Sequence, residues 1–299
     1  MRNDCRRIFA ALLLAALLVG LFPSAASADA EMRRVVVGAD LTDEQIETVY
    51  RSFGMQRGSV PELRLTNAEE HAALSGYLDD AVIGTRSISC VYFELLPEGS
   101  GLEVRTENIS YCTAEMYRSS LITAGIADAR LIVAAPFPVS GSAAMAGVYK
   151  AYEDMTGKPL DAEAKTAGTQ ELTVTQELGD ELGSKDSAAS IVGELKKILN
   201  ETSGMTDDEV RQKIRSIAGQ YGVRLTDAQV QQLLDLCRTL QKLDPDKLTQ
   251  QVEDVQSTWQ KVENAKEKVG GFIQTVKNIF NAIKSFFEKI SSLTGRNKA

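Results

Sequence analysis

Histidine is nearly absent: His71 is the only one in 299 residues, beside four cysteines and one tryptophan. That leaves little material for a metal centre, and no cofactor-binding motif stands in for one. No metal and no cofactor are therefore expected. Basic residues are outnumbered, 33 Lys plus Arg against 41 Asp plus Glu, for a formal charge of −8. A dedicated nucleic-acid binder needs a basic footprint, so that class is excluded. Prolines number seven, while hydrophobic and charged residues make up 43% and 25%; these are globular proportions and exclude a collagenous or disordered chain. The length fits about two ordinary domains.

Long apolar runs are also missing. Ile8 to Phe22 spans 15 residues, roughly 22 Å of helix against the roughly 30 Å hydrocarbon core. Arg2, Arg6 and Arg7 precede it, Pro23 ends it, and Ala26-Ser27-Ala28 offers small residues for cleavage. This is the pattern of a secretory signal peptide over residues 1–28, with an uncleaved N-terminal anchor as the alternative. The expected location is secreted or extracytoplasmic, with peripheral association at the outer surface of the membrane open. Cys5 leaves with the leader, so Cys90, Cys112 and Cys237 remain, an odd count in an oxidising compartment.

Residues 29–158 read as a mixed α/β domain. Val35-Val36-Val37 is a strand; Thr42 and Gln45 form a capping box ahead of Ile46, Val49, Tyr50 and Phe53. Val60 to Leu65 and Thr66-Asn67 repeat this strand-then-helix grammar. Ser87 to Leu96 and Leu102 to Cys112 are strand-like, and Pro97 to Gly101 between them predicts a five-residue hairpin. Thr113 caps the next helix, Ala129 to Ala135 is a strand, and Ser140-Gly141-Ser142 opens a helix to about Met155. The order β-α-β-α-β-β-α-β-α packs most economically as one helix-covered sheet, antiparallel at least in part.

Four segments carry a resemblance: Val35 to Thr42, Gly99 to Ser110, Leu121 to Ile126 and Val133 to Gly141. On them the chain resembles the secreted YpuA-like family of Gram-positive spore-forming bacteria, grouped as domain of unknown function 1002. The resemblance covers most of residues 30–245. It implies an extracytoplasmic protein without an established activity, and it supplies no catalytic residues.

The rest reads as all-helical, which makes the fold class α+β. Residues 159–185 read as a helical connecting segment, with Leu172, Thr175, Leu178 and Leu182 on one face and Gly183 as its stop; a strand begun by Leu172, Val174 and Gln176 is the alternative. Residues 186–245 hold short helices, two of them opened by Thr206 to Glu209 and Thr226 to Gln229. Residues 246–299 read as a long amphipathic helix, kinked near Gly270-Gly271. Its second part presents Phe272, Ile273, Val276, Ile279, Phe280, Ile283, Phe286, Phe287 and Ile290, with Lys277, Lys284 and Lys289 on the polar face. Residues 272–299 carry five basic side chains and one acidic, Glu288.

That face has three readings: packing on its own domain, docking to an envelope protein or self-association, and lying on an anionic membrane surface. Phe272, Val276, Ile279, Phe280, Ile283, Phe286, Phe287, Lys277 and Lys284 are the candidate contact residues. Gly141 and Ser142 at a helix N-terminus are a candidate anion site, with a plain N-cap as the simpler reading. Cys90 and Cys112 flank the predicted hairpin four residues out of register, about 13 Å; a disulfide between them requires a bulge or another register. Cys237 reads as a buried small hydrophobe. His71, beside Glu69 and Glu70, lies one turn from Ser75 on a predicted helix; a Ser-His catalytic pair is one reading and a solvated surface pair the simpler one. Asp79-Asp80 and Asp207-Asp208-Glu209 have no calcium-loop spacing. Together these point to a non-catalytic envelope binding or scaffolding protein. The alternative is an envelope-polymer hydrolase using acidic residues at the domain junction.

Overall fold

The structure, a computed structural model, describes residues 32–78, 80–246 and 248–250. The fold is α+β. In order, the elements are β1 (Arg33–Gly38), α1 (Asp43–Phe53), β2 (Glu62–Leu65), α2 (Asn67–Leu74), α3 (Asp80–Ile83), β3 (Cys90–Leu95), β4 (Leu102–Ile109), α4 (Ala114–Thr123), β5 (Ala129–Val139) and α5 (Ala144–Thr156). Then come α6 (Ala162–Leu182), α7 (Lys185–Lys197), α8 (Leu199–Thr202), α9 (Asp207–Gln220) and α10 (Asp227–Leu240). The predicted leader and the part of the predicted C-terminal helix beyond residue 250 lie outside the described residues. The described residues fall within one compact unit.

Helix starts follow local chemistry. Thr42, Thr66, Thr206 and Thr226 each accept from the backbone N–H three residues on, and Gln45, Glu69, Glu209 and Gln229 reach back in reciprocal capping boxes.

The strands form one mixed sheet in the order β2-β1-β3-β5-β4. The predicted hairpin is not there. β3 pairs antiparallel with β1 and β5, while β4 pairs parallel with β5 on its far side. Burial explains the choice. Leu131 to Ala135 of β5 are all buried, so this strand needs cover on both faces and takes an interior place. In β4, Leu102 and Val104 are buried while Glu103 and Arg105 are exposed, the alternation of an edge strand.

The two faces of the sheet are covered differently. Helix α1 lies on one, where Ile46, Val49, Tyr50 and Phe53 meet Val35, Val37, Cys90, Tyr92, Ile132 and Ala134. On the other, α5 packs over β1 and β3 and α4 packs on β4. Helix α6 backs this layer, packed on α4, α7 and α10. A side chain at Gly168 would stand 2.7 Å from the Ser120 carbonyl oxygen, so only glycine allows α6 to cross α4 this closely.

The connecting segment read as a helix, with a strand as the alternative, is α6, ended at Gly183. Its ambiguity has a cause. The helix is enclosed, yet Thr169, Glu171, Thr173, Thr175 and Gln176 are buried along it. Thr173 and Thr175 return their hydroxyls to carbonyls four residues back. Tyr149 reaches Thr169 (3.2 Å), tying α5 to α6. Buried polar groups with partners stand in for an apolar stripe.

Candidate functional site

Helix α1 shields β1, β3 and β5 but leaves the same face of β4 open. The result is a groove of about 680 Å³ lined by Thr48, Arg51 and Ser52 of α1, Arg105, Thr106 and Glu107 of β4, and Ile132 of β5. Ile132 is buried and pairs with Arg105 across the sheet. Ser52 Oγ donates to Glu107 Oε1 at 2.7 Å, tying the helix to the edge strand. On that strand Glu103 is held by Arg130 (2.8 Å). Arg105, between these two engaged acids, makes no ion pair among the described residues, and neither does Arg51, which donates to Thr48 Oγ1 (2.9 Å). Two guanidinium groups and three hydroxyl-bearing residues thus border one open trough. Guanidinium groups recognise carboxylates in a planar, two-bond fork.

Sequence reasoning passed over Arg51 and Arg105. They are far apart in the chain, and only the β3-β5-β4 order brings them to one groove. The available signal was the charged alternation Glu103, Arg105, Glu107 opposite Leu102 and Val104.

The sequence-derived candidates have other roles. Ser142 is fully buried, and its hydroxyl faces Gln176 (Nε2 at 3.2 Å) and the Cys112 sulfur (3.9 Å). It does not cap α5, whose N-cap position is Ala143. Gly141 has φ +91°, and a Cβ there would lie 2.4 Å from Ile109 Cγ2, so glycine is required by packing. Its carbonyl accepts from Tyr117 Oη at 2.5 Å.

Cys90, Cys112 and Cys237 are free buried thiols. The disulfide considered for Cys90 and Cys112 lacks its hairpin, because β5 lies between the two strands. Cys90 belongs to the α1-side core, and Cys112 touches Gln176 of α6. Burial pushes the Cys90 thiol up to about 12 and the Cys112 thiol up to about 11, far from a reactive thiolate.

His71 is held on both sides, Nε2 by the Gly84 carbonyl (2.9 Å) and Nδ1 by Asp80 (3.2 Å). Ser75 donates to the same Asp80 oxygen (3.4 Å), so no nucleophile–base pair forms. This places Asp80 of the Asp79-Asp80 pair; Asp79 is outside the described residues. Glu70 beside them is fully buried, accepting from Ser87 Oγ (2.6 Å) and Asn67 (3.2 Å). Burial raises its pKa despite those bonds. Of the second acidic run, Asp207 pairs with Arg238, Asp208 with Arg211, and Glu209 closes a capping box.

At the junction of the two stretches, Glu153 holds Lys165, Asp154 holds Arg34 and Asp161 caps α6. A smaller cavity of about 290 Å³ there is lined in part by Asp161, Glu163, Lys242 and Asp244. Deeper in, Lys196 and Glu171 form an ion pair with neither side chain exposed (3.1 Å). Lys196 also donates to the Ser119 carbonyl (2.8 Å), and Glu171 accepts from Ser119 and Thr123. Burial lowers the lysine's pKa. Among the described residues no cluster of three His, Cys, Asp or Glu can hold a metal ion.

The membrane- or partner-contact residues, Phe272, Val276, Lys277, Ile279, Phe280, Ile283, Lys284, Phe286 and Phe287, lie outside the described residues. No helix of the described residues is long and apolar enough to cross a membrane.

No solved structure matches this chain. It is 35% identical over 291 residues to "Uncharacterized protein YpuA" of Bacillus subtilis (strain 168), covering 95% of this chain and 97% of that one. Residues 37–262 match the family described as "Protein of unknown function (DUF1002)". That match takes in nearly the whole sheet, its covering helices and the groove, and the chain belongs to this family.

Proposed function

We propose that the chain is an extracytoplasmic, non-catalytic binding or scaffolding protein of the cell envelope. The observation that carries this reading is the open groove, where Arg51 and Arg105 make no ion pair among the described residues. The histidine, the thiols and most acids named above are tied into internal contacts instead. The leader-like residues 1–28 support the location. The Phe-Ile face of residues 272–290, with its lysines, supports attachment to an envelope protein or an anionic membrane surface.

Phe280→Ser with Phe287→Ser in the full chain tests the attachment. The folded double variant is expected to lose sedimentation with envelope fractions or with vesicles containing anionic lipid. Undiminished sedimentation overturns this reading.

A second reading, an envelope-polymer hydrolase, rests on the junction cavity with Asp161, Glu163 and Asp244. It requires turnover of an envelope polymer that disappears in Glu163→Gln.

A further inference from the structure

We infer that the groove between α1 and β4 receives a short acidic peptide in extended conformation, laid along the edge strand with its carboxylates on Arg51 and Arg105. This deepens the binding reading above and rests on it.

Three features specify the class. The first is charge. The two arginines stand on opposite walls, one from α1 and one from β4, and each has its guanidinium clear of any ion pair among the described residues. Glu107, the acid of the lining, accepts among the described residues only from the uncharged Ser52 hydroxyl, so the lining sets two cationic side chains against one acidic. Residues 29–271 carry 25 basic side chains against 39 acidic, so a long polyanion is repelled by the body of the protein, while a short acidic segment confined to the groove meets positive charge.

The second is geometry. β4 is the last strand of the sheet, eight residues long. Its open-face positions Glu103, Arg105 and Glu107 recur every second residue, about 6.6 Å. An extended peptide has the same repeat, so its alternate side chains fall in step with them. The third is the lining itself. Thr48, Ser52, Thr106 and Ile132 contain no aromatic ring on which a sugar face could stack, which favours a peptide over an acidic glycan.

The test uses the full chain and a fluorescent oligoglutamate of about eight residues, followed by anisotropy. Wild type is expected to bind, more weakly as salt is raised. Arg51→Gln with Arg105→Gln is expected to bind at least about tenfold more weakly while melting at the wild-type temperature, since both side chains are exposed. Oligogalacturonate, an acidic glycan, is expected to bind more weakly than the peptide. Absence of peptide binding, equal affinity in the double variant, or preference for the glycan each overturns the assignment. The envelope sedimentation lost in Phe280→Ser with Phe287→Ser is read in parallel. If it behaves as expected while the peptide arm fails, the groove assignment falls and the attachment reading stands.

Discussion

The two faces of the sheet handle polar groups in opposite ways. On the α4–α5 side the cover is two layers deep, and its buried polar residues, the Ser120 hydroxyl apart, are largely directed at one another: Lys196 at Glu171, Gln176 at Ser142, Tyr149 at Thr169. On the α1 side one helix covers the sheet, and Arg51 and Arg105 are left facing an open groove. Enclosed polar groups must find internal partners, because an unpaired one costs on the order of several kcal/mol. Exposed ones carry no such requirement and remain available to a ligand. The thick side is therefore where substitutions should change stability, and the thin side is where they should change binding.

The largest expected effect is on the thick side. Lys196→Met leaves Glu171 buried without its cation and should cost about 3–5 kcal/mol, read from denaturant unfolding. Lys196→Met combined with Glu171→Leu should recover most of that loss, since replacing both members of a buried pair is often neutral or better. A double variant as unstable as the single one would show that the pair is not acting as a unit.

Gly141→Ala should come next, at about 1–3 kcal/mol. The new methyl meets Ile109 and Tyr117, and φ is +91°. A thermal melt unchanged from wild type would contradict the close approach at this turn. On the thin side, Ser52→Ala removes a half-exposed bond to Glu107 and should cost no more than about 1 kcal/mol. A larger loss would mean that the groove walls are structural.

Adjacent acids on α2 give the smallest and most specific contrast. Hydrogen bonding from Lys150, with the capping bond to Thr66, lowers Glu69 to about 2 from its ordinary 4.5. Its contribution is fully present above pH 4.5 and is lost as pH falls toward 2. Glu70 is raised by burial, so its folded state favours the proton. Its contribution is present below pH 4.5 and declines as pH rises through the folded value. Glu69→Gln should lower Tm at neutral pH and converge on wild type in acid. Glu70→Gln should gain on wild type as pH rises past 4.5. Parallel pH profiles for the two variants would contradict the opposite environments.

Local chemistry was the most legible part of the sequence. The four threonine capping boxes start helices where predicted, because capping depends on residues three apart. Sheet order was less legible. Pro97 to Gly101 has hairpin length, but pairing was decided by which strand needed cover on both faces, and the apolar run in β5 outweighed the short loop. The amphipathic pattern of α6 was blurred because its buried polar residues are satisfied: Thr173 and Thr175 by carbonyls of the helix itself, and Thr169, Glu171 and Gln176 by partners on other elements. The groove was not legible, since Arg51 and Arg105 meet only through that unexpected strand order. Gly141 and Ser142 do mark a turn between strand and helix, and there Gly141 fits against Ile109 and Tyr117 while Ser142 is buried against Gln176.

The claim that the thin side is the working face is tested most directly by amide hydrogen exchange of the full chain with and without an envelope fraction. Slowed exchange within residues 32–250 is expected in α1 and β4, with α6 and α7 unchanged. Protection centred on α6 and α7, or none within residues 32–250, would contradict it.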